Sequence, residues 1–195
     1  MAVSAPFIVR PLRPSDAGPV LDLARSLSQW FDSEGLARIA RDLASHGGFV
    51  AVRGDRLVGF VTWTPLDAEV AELSWMGVAE DLQHQGIGTT LLAALVASLR
   101  SPGFRFLEVS TVADNVDYEP YVETRRFYRA RGFVDFRVDA RYWGSGDDRY
   151  DRLLLRRDLG PGPGGGPPDV RTIGDAAVHN GSEPRGDSQA VFKSA

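Results

Sequence analysis

Apolar residues recur at two spacings that alternate along most of the chain. Short runs of adjacent or alternating apolar residues predict β-strands, whereas apolar residues three or four positions apart predict amphipathic helices. The runs that predict strands lie at 7–10, 49–52, 57–61, 70–78, 106–112, 134–142 and 150–155. With the helices that fall between them, the predicted element order is β-α-α-β-β-β-α-β-α-β-β.

Capping residues and glycines mark the ends of the predicted helices. Ser15 or Asp16 begins the first helix, Ser33 begins the second, and Gly47 with Gly48 ends the second. The fourth helix is predicted from about 122 to 131. The apolar stripes of the first three helices are Val20, Leu21, Ala24 and Leu27; Leu36, Ile39, Ala40 and Leu43; and Ile87, Leu91 and Leu95.

Turn residues and strand patterns predict some of the pairing. Gly54 and Asp55 predict a tight hairpin. The strands at 70–78 and 106–112 are joined by a helix, so we expect parallel neighbours with a right-handed crossover. The strand at 134–142 alternates apolar with charged residues, which predicts one buried face. That face comprises Val134, Phe136, Val138, Ala140 and Tyr142.

Composition places the chain among globular proteins. A length of 195 residues suits one well-buried domain, which we expect to span 1–159. Hydrophobic residues make up 43% and charged residues 25%, and no apolar run reaches membrane-spanning length. The start lacks the basic and apolar regions of a signal peptide. We therefore expect a cytoplasmic protein that binds no membrane.

Charge and cysteine content exclude several kinds of site. The formal net charge is −4 and no basic stripe is present, so we expect no nucleic-acid partner. The absence of cysteine excludes disulfides, thiolate metal sites and a cysteine nucleophile, and no metal is expected. Residues 160–195 are rich in glycine and proline and then polar, which predicts a disordered tail; a partner-binding tail is the alternative.

A glycine-rich loop with the sequence QHQGIG, at 83–88, joins the strand at 70–78 to the third helix. The first N–H groups of a helix have no helical acceptor, and the helix dipole adds partial positive charge, so a phosphate is favoured there. Gly86 and Gly88 lack the Cβ atoms that would hold an anion away. The loop is therefore a candidate phosphate site.

The element order and two motifs resemble the GNAT superfamily of acyl-CoA-dependent N-acyltransferases over residues 7–155. One motif is the family's Gln/Arg-x-x-Gly-x-Gly/Ala loop, here at 83–88, for which a structural glycine turn is the alternative. The other is Phe-Tyr-x-x-x-Gly-Phe, here FYRARGF at 127–133. The resemblance implies an α+β fold with a mixed, mostly antiparallel central sheet of six or seven strands and about four flanking helices.

The resemblance also implies an activity and a co-substrate. It implies an N-acetyltransferase that moves an acetyl group from acetyl-CoA to a primary amine by direct attack in a ternary complex. The amine belongs to a small molecule or to a protein lysine or N-terminus. A non-catalytic module that binds or senses acyl-CoA is the alternative, and transfer of a longer acyl group is a third reading. The acceptor's identity and a homodimer are left open.

The same resemblance implies where acetyl-CoA binds. In the family the fourth strand separates from the fifth at a bulge, and pantetheine pairs with the exposed strand edge. By analogy, backbone groups of Met76, Gly77 and Val78 pair with pantetheine. Gly77 is either such a close-approach glycine or a packing glycine. The backbone amides that would hold the phosphates belong to Gln83, His84, Gln85, Gly86, Ile87, Gly88 and Thr89.

Two side chains are candidates for proton transfer. An alkylamine is mostly protonated at neutral pH, so a general base is useful. Glu72 matches by spacing the position where histone-type members carry a glutamate base; a solvated or ion-paired glutamate is the alternative. Tyr128 matches the family tyrosine near the thioester sulfur, which protonates or orients the leaving thiolate. A core tyrosine with a solvated hydroxyl is the alternative for Tyr128.

Some positions depart from the family pattern or allow two readings. Tyr121 stands where many members have an asparagine, which Asn115 in the preceding loop could replace. Gln85 stands at a position that is often basic in the family. His84, together with Arg125 or Arg126, is the alternative source of positive charge for the 3′-phosphate.

Two further sets of residues bear on the acceptor. Trp30 and Phe31 either wall an acceptor pocket or belong to the core. The acidic residues of 114–123 and 147–148 would favour a cationic acceptor if they converged, and solvated loops are the alternative. They are Asp114, Asp117, Glu119, Glu123, Asp147 and Asp148.

Overall fold

The computed structural model describes residues 6–100, 103–116, 119–145 and 148–160. Of the predicted tail at 160–195, only Gly160 lies within these ranges. The strands are β1 (Ile8–Pro11), β2 (Gly47–Arg53), β3 (Arg56–Pro65), β4 (Val70–Val78), β5 (Phe106–Val112), β6 (Val134–Ser145) and β7 (Asp148–Asp158). The helices are α1 (Ala17–Ser26), α2 (Ser33–Asp42), α3 (Ile87–Arg100) and α4 (Glu119–Arg129), and 3₁₀ turns cover Pro14–Asp16 and Glu80–Leu82.

The seven strands form one sheet in the order β1-β2-β3-β4-β5-β7-β6. Every neighbouring pair is antiparallel except β4 and β5, which are parallel and joined through α3. This is the α+β arrangement with a mostly antiparallel sheet that the sequence predicted, and the predicted parallel pair is confirmed. Among the described residues, no helix has both the length and the apolar character needed to cross a bilayer.

The ends of α2 differ from the sequence prediction. Asp32, and not Ser33, caps the helix, because its carboxylate accepts a hydrogen bond of 2.7 Å from the amide of Gly35. Gly47 and Gly48 do not end α2 but begin β2. A Cβ at Gly48 would lie 2.3 Å from a backbone oxygen of β3. Close strand approach therefore explains this glycine.

Helices α1 and α3 pack on opposite faces of the sheet. A Cβ at Gly59 in β3 would lie 3.0 Å from the side chains of Ile87 and Leu91 in α3. A Cβ at Gly77 in β4 would instead meet Leu27, just after α1, at 3.0 Å and the Phe60 ring at 2.8 Å. The core is thus formed by two layers of side chains, one on each face of β2, β3 and β4.

The two aromatic residues between α1 and α2 belong to the core. Trp30 and Phe31 are buried, and the Phe31 ring lies 6.1 Å from that of Trp75 and 6.4 Å from that of Phe60. Of the two readings of these residues, the core position is therefore correct. Trp75 also donates a hydrogen bond of 2.7 Å from Nε1 to Asp42, which ties α2 to β4.

The prediction of a buried apolar face on β6 is wrong. Val134, Phe136 and Val138 are 64%, 47% and 57% exposed. Strand β6 lies at the edge of the sheet, and its register with β7 shifts between Asp135 and Arg137, so that Phe136 forms a bulge. A second irregularity follows before Trp143. Alternation in the sequence does not predict such bulges, which change the face that each side chain occupies.

Candidate active site

Strands β4 and β5 separate halfway along their length. They pair only from Val70 with Phe106 to Glu72 with Glu108, although both strands continue beyond these residues. The β3 and β4 register also shifts here, because Thr62 pairs with Trp75 while the next residue of β3 pairs with Leu73. Ser74 is therefore a bulge in β4. The bulge and the separation leave the β5-facing edge of β4 without a ladder beyond Glu72.

The residues predicted to pair with pantetheine lie on this edge. Met76, Gly77 and Val78 are buried, and on their other side they pair with β3. The space beside Gly77 is filled by Phe60 and Leu27. Packing across the sheet is therefore sufficient to explain the glycine at position 77. The edge of β4 that faces β5 consists of backbone N–H and C=O groups. The packing beside Gly77 therefore does not bear on whether this edge pairs with pantetheine.

The glycine loop turns β4 into α3 as predicted. His84 and Gly86 have positive φ values of 61° and 80°, and no atom lies within 4 Å of a Cβ placed at Gly86. The first helical bond runs from the amide of Thr90 to the oxygen of Gly86 at 3.0 Å. The N–H groups before Thr90 in the first turn thus have no helical acceptor. Ile87 and Gly88, in this first turn, are buried.

The polar side chains of the loop are held by neighbouring elements. Gln83 Nε2 donates a hydrogen bond of 3.4 Å to the oxygen of Val78. Gln85 accepts one of 3.0 Å from Arg53 at the end of β2. His84 lies between these two glutamines in the loop, and it is exposed. The structure therefore brings the predicted phosphate residues to one end of β4, beside an arginine that the motif did not include.

A second arginine reaches the same helix end from α4. Arg131 donates hydrogen bonds of 2.6 and 3.2 Å to the Thr89 hydroxyl and one of 2.8 Å to the oxygen of Phe127. Its guanidinium lies 3.6 Å from the centre of the Phe127 ring. It forms no ion pair with a carboxylate within the described part of the chain. Burial lowers the pKa of this guanidinium, which nevertheless stays protonated at neutral pH.

Arg125, a predicted source of charge, is used elsewhere. It is buried and donates hydrogen bonds of 3.0 and 3.2 Å to the backbone oxygens of Val112 and Ala113. Its Nε lies 2.6 Å from Asp114, which also pairs with Arg129. These contacts fasten α4 to the end of β5. The sequence singled out Arg125 and Arg126 but gave no reason to choose Arg131, because only packing brings α4 beside α3.

Tyr128 is completely buried in α4. Its ring makes edge contacts with Phe127 and Phe133 at centroid distances of 5.3 and 5.2 Å. Burial raises the pKa of the phenol, so the hydroxyl keeps its proton at physiological pH. The solvated hydroxyl of the alternative reading is therefore wrong, and the Tyr128 hydroxyl is protonated and buried inside the protein.

Asp114 and Asn115 of the β5–α4 loop are engaged in contacts within the protein. Asp114 is an ion-pair partner of Arg125 and Arg129, and Arg129 lowers its pKa. Asn115 donates a hydrogen bond of 3.0 Å to Asp151 in β7. Side chains at 117, 147 and 148 lie outside the described residues. The β5–α4 loop is thus tied to β7 through Asn115.

Glu72 has an acidic neighbour that the sequence prediction missed. Because register partners on adjacent strands share a face, Glu72 and Glu108 project from the same side of the sheet. Glu108 is 6% exposed and pairs with Arg156 of β7. One feature of the sequence could have identified Glu108: it is the only charged residue in the strand at 106–112. The point where β4 and β5 separate therefore carries two carboxylates.

Comparison with known proteins agrees with this geometry. A sequence model described as the acetyltransferase (GNAT) family matches residues 18–133. The chain belongs to the GNAT family. The matched region begins in α1 and includes the separated strands, the glycine loop and the segment of Tyr128.

Individual GNAT relatives show how far the likeness extends. A mycothiol acetyltransferase from Actinosynnema mirum is 32% identical over 120 residues, which are 60% of this chain and 34% of that protein. The chain thus spans about a third of the length of this curated relative.

Two solved structures share the fold. A GNAT-family protein from Desulfovibrio desulfuricans superposes with a TM-score of 0.70 at 25% identity, covering 79% of this chain and 99% of its own. A GNAT acetyltransferase from Elizabethkingia anophelis, which has acetyl-CoA bound, superposes with a TM-score of 0.62 at 22% identity, covering 78% and 97%. The likeness therefore extends over nearly the full length of both solved chains.

Proposed function

We propose that this GNAT protein is an acetyl-CoA-dependent N-acetyltransferase whose acceptor is a primary amine of a small molecule or of a protein lysine or N-terminus. The observation that carries the proposal is the separation of β4 from β5 in the strand that leads to the glycine loop. An extended thioester arm fits beside an unpaired strand edge, and its phosphates fit at a helix N-terminus. The strand edge leads to the helix N-terminus, so one elongated molecule can extend along both.

Two arginines support the phosphate half of this proposal. Gln85 leaves the loop without the basic residue that often stands there, whereas Arg131 and Arg53 reach it from α4 and β2. Arg131 is a cation beside the positive end of α3, and an anion between them would be attracted by both. A diphosphate at the loop would supply that anion. Cofactor binding would then involve Gln83, His84, Gln85, Gly86, Ile87, Gly88 and Thr89 together with these arginines.

Tyr128 and Glu72 are the proposed proton-transfer residues. In the reaction the amine nitrogen bonds to the acetyl carbon, the carbon–sulfur bond breaks, and the amine proton and the thiolate charge must both be accommodated. Tyr128 keeps its proton because it is buried, which suits a donor to the thiolate. Glu72 stands where the strands separate and is the proposed acceptor of the amine proton.

The test is an acceptor screen with acetyl-CoA as donor. Release of free thiol and the mass of the product would be measured for a panel of amines and peptides, and coenzyme A affinity would be measured by calorimetry. Binding with acetylated product is the expected result. Binding without thiol release for any amine would favour the non-catalytic binding module, and failure to bind coenzyme A at millimolar concentration would contradict both readings.

The role of Glu72 has a separate test. Glu72→Gln should lower kcat and remove the acidic limb of the pH–rate profile, because the amide cannot accept a proton. An unchanged profile would mean that another group or a water chain is the base.

A further inference from the structure

Arg156 uses the two oxygens of Glu108 unequally. Its Nε donates a hydrogen bond of 2.8 Å to Oε1, and its Nη2 donates to the same oxygen. A fork-to-fork pair would use both oxygens. No residue in the described ranges donates a hydrogen bond to Oε2. A nearly buried carboxylate with one unused oxygen has the capacity for a further donor.

The guanidinium that holds Glu108 is itself fixed in place. It lies 3.5 Å from the centre of the Phe136 ring and 4.8 Å from that of Phe106. Phe136 follows Val134, the register partner of Arg156, by two positions and so projects from the same face as Arg156. Stacking between two rings limits the motion of the guanidinium. Arg156 therefore orients the Glu108 carboxylate.

Two buried hydroxyls accompany this carboxylate. Ser110 follows Glu108 by two positions in β5 and so projects from the same face. Ser74 is the bulge in β4, next to the point of separation. Both serines are fully buried, and neither hydroxyl has a hydrogen-bond partner within the described residues. Buried hydroxyls without partners are costly unless a ligand or water satisfies them.

We infer that Glu108 Oε2 and the Ser110 hydroxyl bind the nitrogen of the acceptor, which is a primary ammonium without a carboxylate on the adjacent carbon. The inference rests on the proposed function, because the nitrogen must reach the gap between β4 and β5. Glu72 and Glu108 place two carboxylates at this gap, which favours a cationic nitrogen over a neutral group. A carboxylate on the neighbouring carbon would add a negative charge close to the two glutamates and be repelled.

Arg156 is a positioning residue in this scheme and Glu108 is a specificity residue. Arg156 does not bind the ammonium, because both groups are cationic hydrogen-bond donors; its Nε and Nη2 instead hold Glu108 through Oε1. Its removal would free the Glu108 carboxylate to turn. An acceptor bound at Oε2 would then bind less well even though its direct ligand is still present.

The test uses n-pentylamine and L-norleucine, which differ by the α-carboxylate, and n-pentanol as the uncharged analogue. The full chain, labelled with carboxyl-¹³C glutamate and saturated with coenzyme A, would be titrated with each at pH 7. The Glu108 carboxyl resonance is the one missing from the Glu108→Gln spectrum. It should shift with n-pentylamine and not with L-norleucine or n-pentanol.

Variants supply the second part of the test. Arg156→Met should weaken n-pentylamine binding about 10-fold or more, and Arg156→Lys should retain part of the affinity. Asp16→Asn is the matched control, because the carboxylates of Asp16 and Glu108 are both 8% exposed and each pairs with an arginine. This control should retain the affinity.

Three results would overturn the inference. They are no Glu108 shift with n-pentylamine, an equal shift with n-pentanol, and equal binding of L-norleucine. Calorimetry with coenzyme A on the same samples separates this failure from failure of the proposed function. If coenzyme A binds and the resonance does not move, only the acceptor assignment is wrong.

Discussion

The guanidinium of Arg131 donates a hydrogen bond of 2.6 Å to the hydroxyl of Thr89 in the first turn of α3. This contact joins two helices that are 42 residues apart in the chain. It also places a cation where the helix dipole is already positive. An anion bound at the same helix end would interact favourably with both the guanidinium and the helix dipole.

Replacement of Arg131 tests this contact. Arg131→Ala should weaken coenzyme A binding by about 10- to 100-fold, because a charge-assisted phosphate contact is lost. Binding of S-acetylpantetheine, which has no diphosphate, should change little. Calorimetry with both ligands measures the difference. Arg25→Ala on the exposed surface of α1 is the control, and an equal loss for both ligands would mean that Arg131 only supports the fold.

Gly86 tests the glycine loop itself. Gly86→Val should abolish measurable coenzyme A binding, because φ at this position is 80° and the open space beside it is where the phosphate would lie. Gly103→Val is the matched control, since Gly103 also has a positive φ of 94° and open space but lies at the other end of α3. Similar loss of affinity in both variants would point to destabilisation and not to a binding role.

Tyr128→Phe removes the proposed donor and preserves the ring. We expect kcat to fall by about 100-fold with a smaller change in KM for acetyl-CoA. Because burial raises the pKa of Tyr128, this residue should cause no loss of activity between pH 7 and about 10. Steady-state rates across this pH range measure both effects. A variant with unchanged kcat would restrict Tyr128 to packing.

Asp16 gives a prediction about stability and pH. Its carboxylate accepts hydrogen bonds of 2.7 and 2.8 Å from Arg10, and this pairing lowers the pKa of Asp16. The stabilisation is present above about pH 3.9, the usual value in an unfolded chain, and is lost as pH falls through the lower folded value. Asp16→Asn should therefore cost about 1 to 3 kcal/mol at pH 7 and less at pH 3.

Urea unfolding at the two pH values measures the Asp16 effect. Asp22→Asn is the control, because Asp22 pairs with Arg25 on an exposed surface, where such pairs contribute little. If Asp16→Asn lowers the free energy of unfolding by the same amount at both pH values, packing and not the ion pair accounts for the lost stability.

Much of the fold follows from local sequence. The spacing of apolar residues identified all seven strands and four helices in order, and the glycine loop between β4 and α3 was located from 83–88. These features depend on neighbouring residues only, since helix periodicity, capping and turn glycines act within a few positions. Even so, Asp32 replaced Ser33 as a cap, because two adjacent residues can both serve and the backbone geometry selects one.

The tertiary structure alone decided which distant residues meet. Glu72 and Glu108 are opposite each other because β4 and β5 pair in one register, and Arg156 joins them because β7 lies next to β5. Likewise, the position of β6 at the edge of the sheet, where Phe136 is exposed, is not evident from the apolar neighbours of Phe136 in the sequence. Register and strand order depend on the packing of the whole sheet, so a local pattern identifies the elements but not the side chains that face each other across them.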